Sequence, residues 1–345
     1  MRRKNPHSVF LALLFLPAMC SFGQVKKAAG PAAIKVPLGL DKGYSQYVPK
    51  DNALTPAKIE LGKMLFFDER LSVDGTVSCA TCHHPNFGFS NGVQFSPGFK
   101  GQLGNRNSPT TLNRLYSTAQ FWDGRAKSLE ERALGPIQSP VEMANTLPGM
   151  ISNMNKIAGY KPYFKRAFGT EEITPERVAQ AIACFERALL SGNSAFDRFQ
   201  AGEQKALSES AQRGFAVFMG KGNCSRCHVL PNFTDEQFHN IGVGMDKPNP
   251  DLGRYDVTMS QKDKGAFKTP TLREIAETYP YFHDGSAQTL EEVVEHFDKG
   301  GIPNTTLDPR IKPLGLTPVE KKDLVQFLKA LTGAPLKVER PVLPE

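Results

Sequence analysis

The sequence predicts an all-α fold made of two halves related by internal duplication, and three observations carry that prediction. Helix starts recur as Thr-Pro pairs, while no stretch alternates between apolar and polar residues as a half-buried strand would. The string Cys-x-x-Cys-His occurs twice, as Cys79-Ala80-Thr81-Cys82-His83 and as Cys224-Ser225-Arg226-Cys227-His228. A longer segment also repeats. Pro109-Thr110-Thr111-Leu112 precedes Phe121-Trp122-Asp123-Gly124 and Leu129-Glu130-Glu131, and Pro270-Thr271-Leu272 precedes Phe282-His283-Asp284-Gly285 and Leu290-Glu291-Glu292. In both copies the Asp lies 14 residues after the proline and the Leu-Glu-Glu begins at 20; equal offsets over that distance mean two related halves.

In chain order, Arg2, Arg3 and Lys4, the apolar run Val9 to Met19 and the small residues before Gln24 form a secretory signal over 1–23, with which Cys20 leaves. That run is too short to span a bilayer and no later stretch reaches 18 apolar residues, so no stable membrane insertion is expected. Residues 24–52, rich in Pro, Gly and Lys, read as an extended lead-in. Thr55-Pro56 opens a helix, with Thr as its cap and Pro where a missing N–H costs nothing, and turns Ile59, Leu61, Met64 and Leu65 inward. Thr174-Pro175 opens another, with Val178, Ala181, Ile182, Phe185 and Leu189 at helical spacing and Gly192 past its end. The boundary between halves falls near Ser191 to Gly202, giving domains over 53–195 and 196–345. Ser208 caps the helix that leads to the second Cys-x-x-Cys-His. Thr317-Pro318 opens the last helix, with Leu324, Val325, Leu328 and Leu331 inward and Gly333 as the stop.

The chemistry of Cys-x-x-Cys-His is that each thiol adds across a vinyl group of haem while the histidine brings its imidazole under the iron. A redox cysteine pair or half of a zinc ribbon uses the same two cysteines. Neither explains a histidine directly after the second cysteine both times. The motifs are read as two covalently bound c-type haems, at Cys79, Cys82 and His83 and at Cys224, Cys227 and His228, each in a cytochrome c-like domain. Attachment of c-type haem beyond the inner membrane, together with the signal, places the chain in the periplasm. Cys184, on an apolar helix face, reads as a buried, inert thiol. Loss of residues 1–23 removes three basic and no acidic side chains, so the formal charge falls from +7 to +4. Haem propionates cancel much of that, and no basic stripe interleaved with aromatics points to nucleic acid.

Arg106-Asn107-Ser108-Pro109-Thr110, Phe121-Trp122-Asp123-Gly124-Arg125-Ala126 and Tyr281-Phe282-His283-Asp284-Gly285 resemble the bacterial di-haem cytochrome c peroxidases and their MauG-like relatives, over residues 50 to 335. The resemblance implies a peroxidase whose N-terminal haem reduces hydrogen peroxide. It implies a C-terminal haem that takes electrons from a small cytochrome c or cupredoxin, and a homodimer in many members. It implies that Glu142, in Pro140-Val141-Glu142-Met143, takes the proton from the bound peroxide oxygen and delivers it to the leaving one. Trp122, the single tryptophan, is implied as an electron relay between haems, and is also readable as an aromatic core residue beside a cofactor. Asn107 through its side chain, and Thr278 and Pro280 through their carbonyls, match the ligands of a calcium ion, for which oxygen donors are suited.

The sequence departs from that family in three places. Members often carry a histidine that caps the N-terminal haem, where this chain has Phe99; no His or Met occurs from Asn86 to Asn105, so an open first haem, active without reductive priming, is expected. The sixth ligand of the C-terminal haem, Met in peroxidases and Tyr in MauG-like proteins, is matched by Phe297, which leaves His296, Met245 or Met259 to reach the iron or the second haem open as well. Arg132 stands where relatives often have Gln; it is read as a hydrogen-bond donor to bound peroxide or as a partner of a propionate. His84 and His239 read as surface or supporting residues, and His283 as the donor or acceptor of a structural hydrogen bond. Besides the peroxidase, two readings stay in view: a MauG-like oxidase that uses peroxide to oxidise a protein or organic substrate, and a non-catalytic di-haem electron carrier. Glu142 above an uncapped haem argues against the carrier.

Overall fold

The computed structural model describes residues 34–345; the expected signal over 1–23, with Cys20, lies outside the described residues. Within these the chain is helical. In order come α1 (Pro56–Phe66), α2 (Cys79–Cys82), α3 (Leu129–Gln138), α4 (Leu147–Asn155), α5 (Lys161–Phe168) and α6 (Pro175–Ala188). They are followed by α7 (Ala195–Gln200), α8 (Glu209–Met219), α9 (Tyr255–Thr258), α10 (Leu290–Asp298) and α11 (Pro318–Lys329). The Thr-Pro starts are in place: the side chains of Thr55, Thr174 and Thr317 accept from the backbone N–H of Lys58, Arg177 and Glu320. Ser208 caps α8 in the same way through the Ala211 N–H. No helix among the described residues is long and apolar enough to cross a membrane.

Two apolar cores follow one another along the chain, the first drawing on residues from Leu61 to Leu189 and the second on residues from Phe196 to Leu331. In each, one pair of helices crosses at touching distance because a glycine faces the crossing. A Cβ on Gly62 of α1 would fall 1.9 Å from the Ala181 carbonyl oxygen of α6, and one on Gly214 of α8 would fall 1.9 Å from the Asp323 carbonyl oxygen of α11.

A short antiparallel ribbon, β1 (Phe238–His239) with β2 (Phe267–Lys268), pairs Phe238 with Lys268. A two-residue ladder is too short to show an alternating pattern, so the sequence gives no hint of it. Its use is positional: the Lys268 N–H donates to the Trp122 carbonyl at 2.7 Å, tying the repeated segment of the first half to the second.

The two ends of the described chain cross between halves. Residues of the lead-in pack with Leu115 and Leu190, and the stretch expected to be extended contains a turn of 3-10 helix at Tyr44–Tyr47. At the other end, Leu336, Val338 and Leu343 pack on the first core, and the Glu345 carbonyl accepts from the Gly159 N–H at 2.7 Å. This tail, assigned from sequence to the half over 196–345, lies on the first half. Its apolar residues are spaced irregularly among prolines and carry no periodic signal.

Candidate functional site

The repeated segment makes the same loop twice. The Gln120 N–H donates to the Ala126 carbonyl and the Tyr281 N–H to the Ala287 carbonyl, and between them Phe121 (φ 67°) and Phe282 (φ 70°) take the left-handed conformation. Asp123 and Asp284 hold each loop by accepting from the N–H two residues on.

Each motif histidine is oriented by a backbone carbonyl. His83 Nδ1 lies 3.2 Å from the Phe89 oxygen and His228 Nδ1 lies 2.9 Å from the Phe233 oxygen. A carbonyl only accepts, so both protons sit on Nδ1 and both lone pairs on Nε2, the tautomer that ligates a metal through Nε2. Burial keeps the rings neutral: His83 is pushed down to about 3, with Arg132 adding to the effect, and His228 is lowered for the same first reason.

His228, Cys224 and Cys227 open onto a cavity of about 210 Å³ that reaches the junction of the halves. Its walls are largely apolar, including Phe267, Leu272, Ile275, Val293, Phe297 and Leu314. Among the described residues Arg114, Arg226, Lys268, Arg310 and Lys312 also line it and no Asp or Glu does, although Lys268 and Arg310 pair with Glu236 and Asp308 behind the wall. An apolar slot with a cationic edge fits a flat apolar ligand carrying carboxylates, which is the chemistry of haem. Trp122 faces this cavity, its indole N–H donating to the Asn107 carbonyl at 2.8 Å. Asn107, Thr278 and Pro280, the three calcium candidates, line it as well. The Asn107 amide donates to the Val93 and Gln94 carbonyls, and its Oδ1 accepts no hydrogen bond from the described residues.

Around His83 the chain is denser. Arg132 on α3 reaches His83 Nε2 at 3.0 Å and Glu186 Oε1 on α6 at 2.8 Å. The guanidinium therefore donates to the lone pair that a haem iron would take. Glu142 lies on the turn after α3, where the Phe99 N–H donates to its carbonyl at 2.7 Å. That approach needs Gly98, since a Cβ there would fall 2.1 Å from the Val141 oxygen. Burial holds the Glu142 carboxyl above the usual carboxylate range. It also sits close enough to Cys82 to help burial push that thiol up to about 11, so Glu142 and the first attachment motif share one site. Loop 86–105 meets Glu142 through the Phe99 backbone, and Phe99 has no side-chain atom able to cap an iron.

His296, a candidate sixth ligand of the second haem, is engaged elsewhere through Nε2. Its Nε2 lies 2.9 Å from the Ile241 carbonyl oxygen, and the neighbouring Phe297 and Val293 line the cavity instead. One residue along a helix turns a side chain by about 100°, which takes His296 off that face. Met259 is 71% exposed and Met245 packs on Gly265; neither lines the cavity. His283 stacks on Phe267 with ring centroids 3.6 Å apart, and the hydrogen bond at this residue is made by its carbonyl, which accepts from the Asn107 N–H. His239 is held between the carboxylates of Asp235 and Asp308, each at 2.9 Å. Cys184 is buried and its thiol is pushed up to about 11 by burial. The cavity-lining charges Arg114, Lys268, Arg310 and Lys312, and Glu186 beside Arg132, were missed from sequence, and none of them belongs to a motif. The available signal was the repeat itself, where Arg114 stands opposite Ile275.

The profile of the family described as "Di-haem cytochrome c peroxidase" matches residues 56–205. A methylamine utilization protein MauG from Methylorubrum extorquens is 44% identical over 299 residues, 86% of this chain and 84% of its own length. A cytochrome c551 peroxidase from Nitrosomonas europaea is 41% identical over 297 residues, 85% of this chain and 86% of its own. Among solved structures, a MauG-like protein associated with microbial copper homeostasis superposes with a TM-score of 0.78 at 32% identity, covering 83% of this chain and 92% of that one.

Proposed function

The chain belongs to the di-haem cytochrome c peroxidase family, and from that membership we propose that it reduces hydrogen peroxide to water in the periplasm with electrons from a small cytochrome c or cupredoxin. One observation carries the reading: Glu142 is a half-buried carboxyl beside the first attachment motif, under a loop with no His or Met from Asn86 to Asn105. Cys79, Cys82 and His83 would hold the haem whose iron would serve peroxide reduction, and Cys224, Cys227 and His228 would hold the haem that would pass electrons to it. Glu142 does the proton work. Its carboxylate accepts the proton of the near peroxide oxygen and returns it to the departing one. Its raised pKa brings accepting and donating closer to balance near neutral pH than a surface glutamate would have. Arg132 lies on the His83 side, donating to its Nε2 and to Glu186, and is given no part at the peroxide oxygens in this reading.

Trp122, fixed by the Asn107 carbonyl at the wall of the cavity beside His228, is assigned the relay between the haems. The unengaged Asn107 Oδ1, with Thr278 and Pro280 on the same cavity, supports a calcium site there. Equal offsets and matched loops at 120–126 and 281–287 support descent of the halves from a duplication.

A second reading is favoured by Phe297. Without a thioether or phenol at that position the second haem lacks the expected sixth ligand, and a MauG-like oxidase that draws electrons from a protein or organic substrate becomes the alternative. The test is a visible and EPR spectrum of the ferric protein before and after one equivalent of peroxide. A high-spin haem that reacts before any reduction is expected, followed by turnover only when a reduced small redox protein is supplied. Turnover of an organic or protein substrate in its place selects the oxidase. Two low-spin haems inert to peroxide even after reduction would make the chain an electron carrier.

A further inference from the structure

Between the two attachment sites lies a buried group of charges that does not balance. Arg132 pairs with Glu186 at 2.8 Å, and Lys268 pairs with Glu236 at 2.9 Å. Arg114 has no such partner among the described residues. It is buried, and its hydrogen bonds go only to neutral oxygens: Nε and Nη2 to Gln120 Oε1 at 3.0 and 2.7 Å, and Nη2 to the Ala119 carbonyl at 3.0 Å. Glu236 is already engaged by Lys268, the Ser117 hydroxyl and the Thr118 N–H. A buried cation whose hydrogen bonds go only to neutral groups is costly unless an anion is brought to it, and the carboxylates of Glu236 and Glu186 act on Arg114 only from a distance. Burial pushes Arg114 down to about 10, which expresses the same shortage.

The cavity supplies the geometry. Arg114 and Lys268 line it together with His228, and among the described residues no Asp or Glu does. None of the Arg114 hydrogen bonds uses Nη1, so part of the guanidinium fork stays available. The planar fork suits a carboxylate better than a point charge does. The position is not a requirement of the repeated loop, because the other copy has Ile275 there.

We infer that Arg114 binds a propionate carboxylate of the haem attached at Cys224, Cys227 and His228, and that its charge raises the reduction potential of that haem. This rests on the reading that a haem is attached at the second motif. The direction follows from charge: a fixed cation favours the reduced haem, which carries one positive charge fewer.

The test uses the full-length holoprotein with Arg114→Gln and Arg114→Lys. Haem per protein comes from the pyridine haemochrome, the potential of each haem from spectroelectrochemistry, and propionate hydrogen bonding from resonance Raman bending bands. The expected result for Arg114→Gln is two haems retained, with the reduction equilibrium of the second weakened on the order of tenfold, which is about 59 mV for one electron. Arg114→Lys should keep most of the potential and shift the propionate bands, since the charge stays and the fork is lost. Two haems at unchanged potentials in Arg114→Gln would overturn the inference. If the Gln protein does not accumulate, the Lys protein decides, and unchanged propionate bands in it would overturn the inference as well. Absence of haem at the second motif in the unaltered protein is a separate result that overturns the functional reading instead.

Discussion

At the scale of single residues, the proposed proton chemistry is assigned to Glu142 because the loop over it has nothing else that titrates near neutral pH. Its carboxyl is raised by burial, and the base form must be present to accept the first proton. Turnover should therefore fall on acidification at a higher pH than an ordinary glutamate would dictate. Glu142→Gln should keep both haems and lose about 10²–10⁴-fold in turnover; a pH–rate profile with haem quantitation checks both, and unchanged turnover would remove the assignment. Phe297 makes the opposite kind of test. Phe297→Met changes volume little and puts a thioether on the cavity wall, so the second haem should become six-coordinate and low-spin with a higher potential. EPR and a redox titration read both effects, and an unaltered spin state would mean that the wall at 297 stands away from the iron. The attachment residues were legible because Cys-x-x-Cys-His is covalent chemistry written at fixed spacing. Arg114 was not, because its meaning lies in the carboxylates that fail to surround it, and only three-dimensional neighbours reveal that.

At the scale of elements, the helices were legible wherever a cap and a period coincided, and the crossings were not. Thr55-Pro56, Thr174-Pro175 and Thr317-Pro318 each start a helix at the residue the capping chemistry names. Nothing in the sequence says that α1 meets α6 at Gly62 or that α8 meets α11 at Gly214; a glycine inside a helix reads only as a small loss of propensity. The ribbon β1–β2 and the tail over 336–345 escaped for the same reason, since both are held by partners far away in the chain and neither has a period. The crossing yields a prediction. Gly214→Ala puts a methyl group 1.9 Å from the Asp323 carbonyl, where backbone rather than a flexible side chain must yield. The expected cost is about 1–3 kcal/mol, read as a lower urea midpoint for the half that contains α8 and α11. A midpoint unchanged or raised by the better helix former would show that the helices separate freely.

At the scale of the whole molecule, the seam between the halves is polar and passes through the proposed electron path. The Asn107 N–H donates to the His283 carbonyl, the Trp122 indole to the Asn107 carbonyl, and the Lys268 N–H to the Trp122 carbonyl. A seam assembled from single hydrogen bonds has no pattern in either half alone, which is why the repeat could announce two halves without saying how they meet. Arg106 is its main ionic tie, donating to Asp123 of the first half and, through Nε and Nη2, to Asp251 of the second. Burial works to raise the Asp251 carboxyl and is outweighed by Arg106, so the net shift is downward. A carboxyl lowered on folding adds stability that is present above the ordinary value of about 3.9 and is lost as pH falls through its lower folded value. Arg106→Ala removes the lowering and leaves burial, so acid unfolding should begin at a higher pH, with about 1–3 kcal/mol lost near neutrality. Thermal melts between neutral and acidic pH measure this directly. The same variant should slow electron passage between the haems while leaving each haem's own spectrum in place, because it loosens the seam and touches neither motif histidine. Stopped-flow reduction of the first haem through the second, at unchanged rate in Arg106→Ala, would mean that electrons do not depend on how Trp122 is seated.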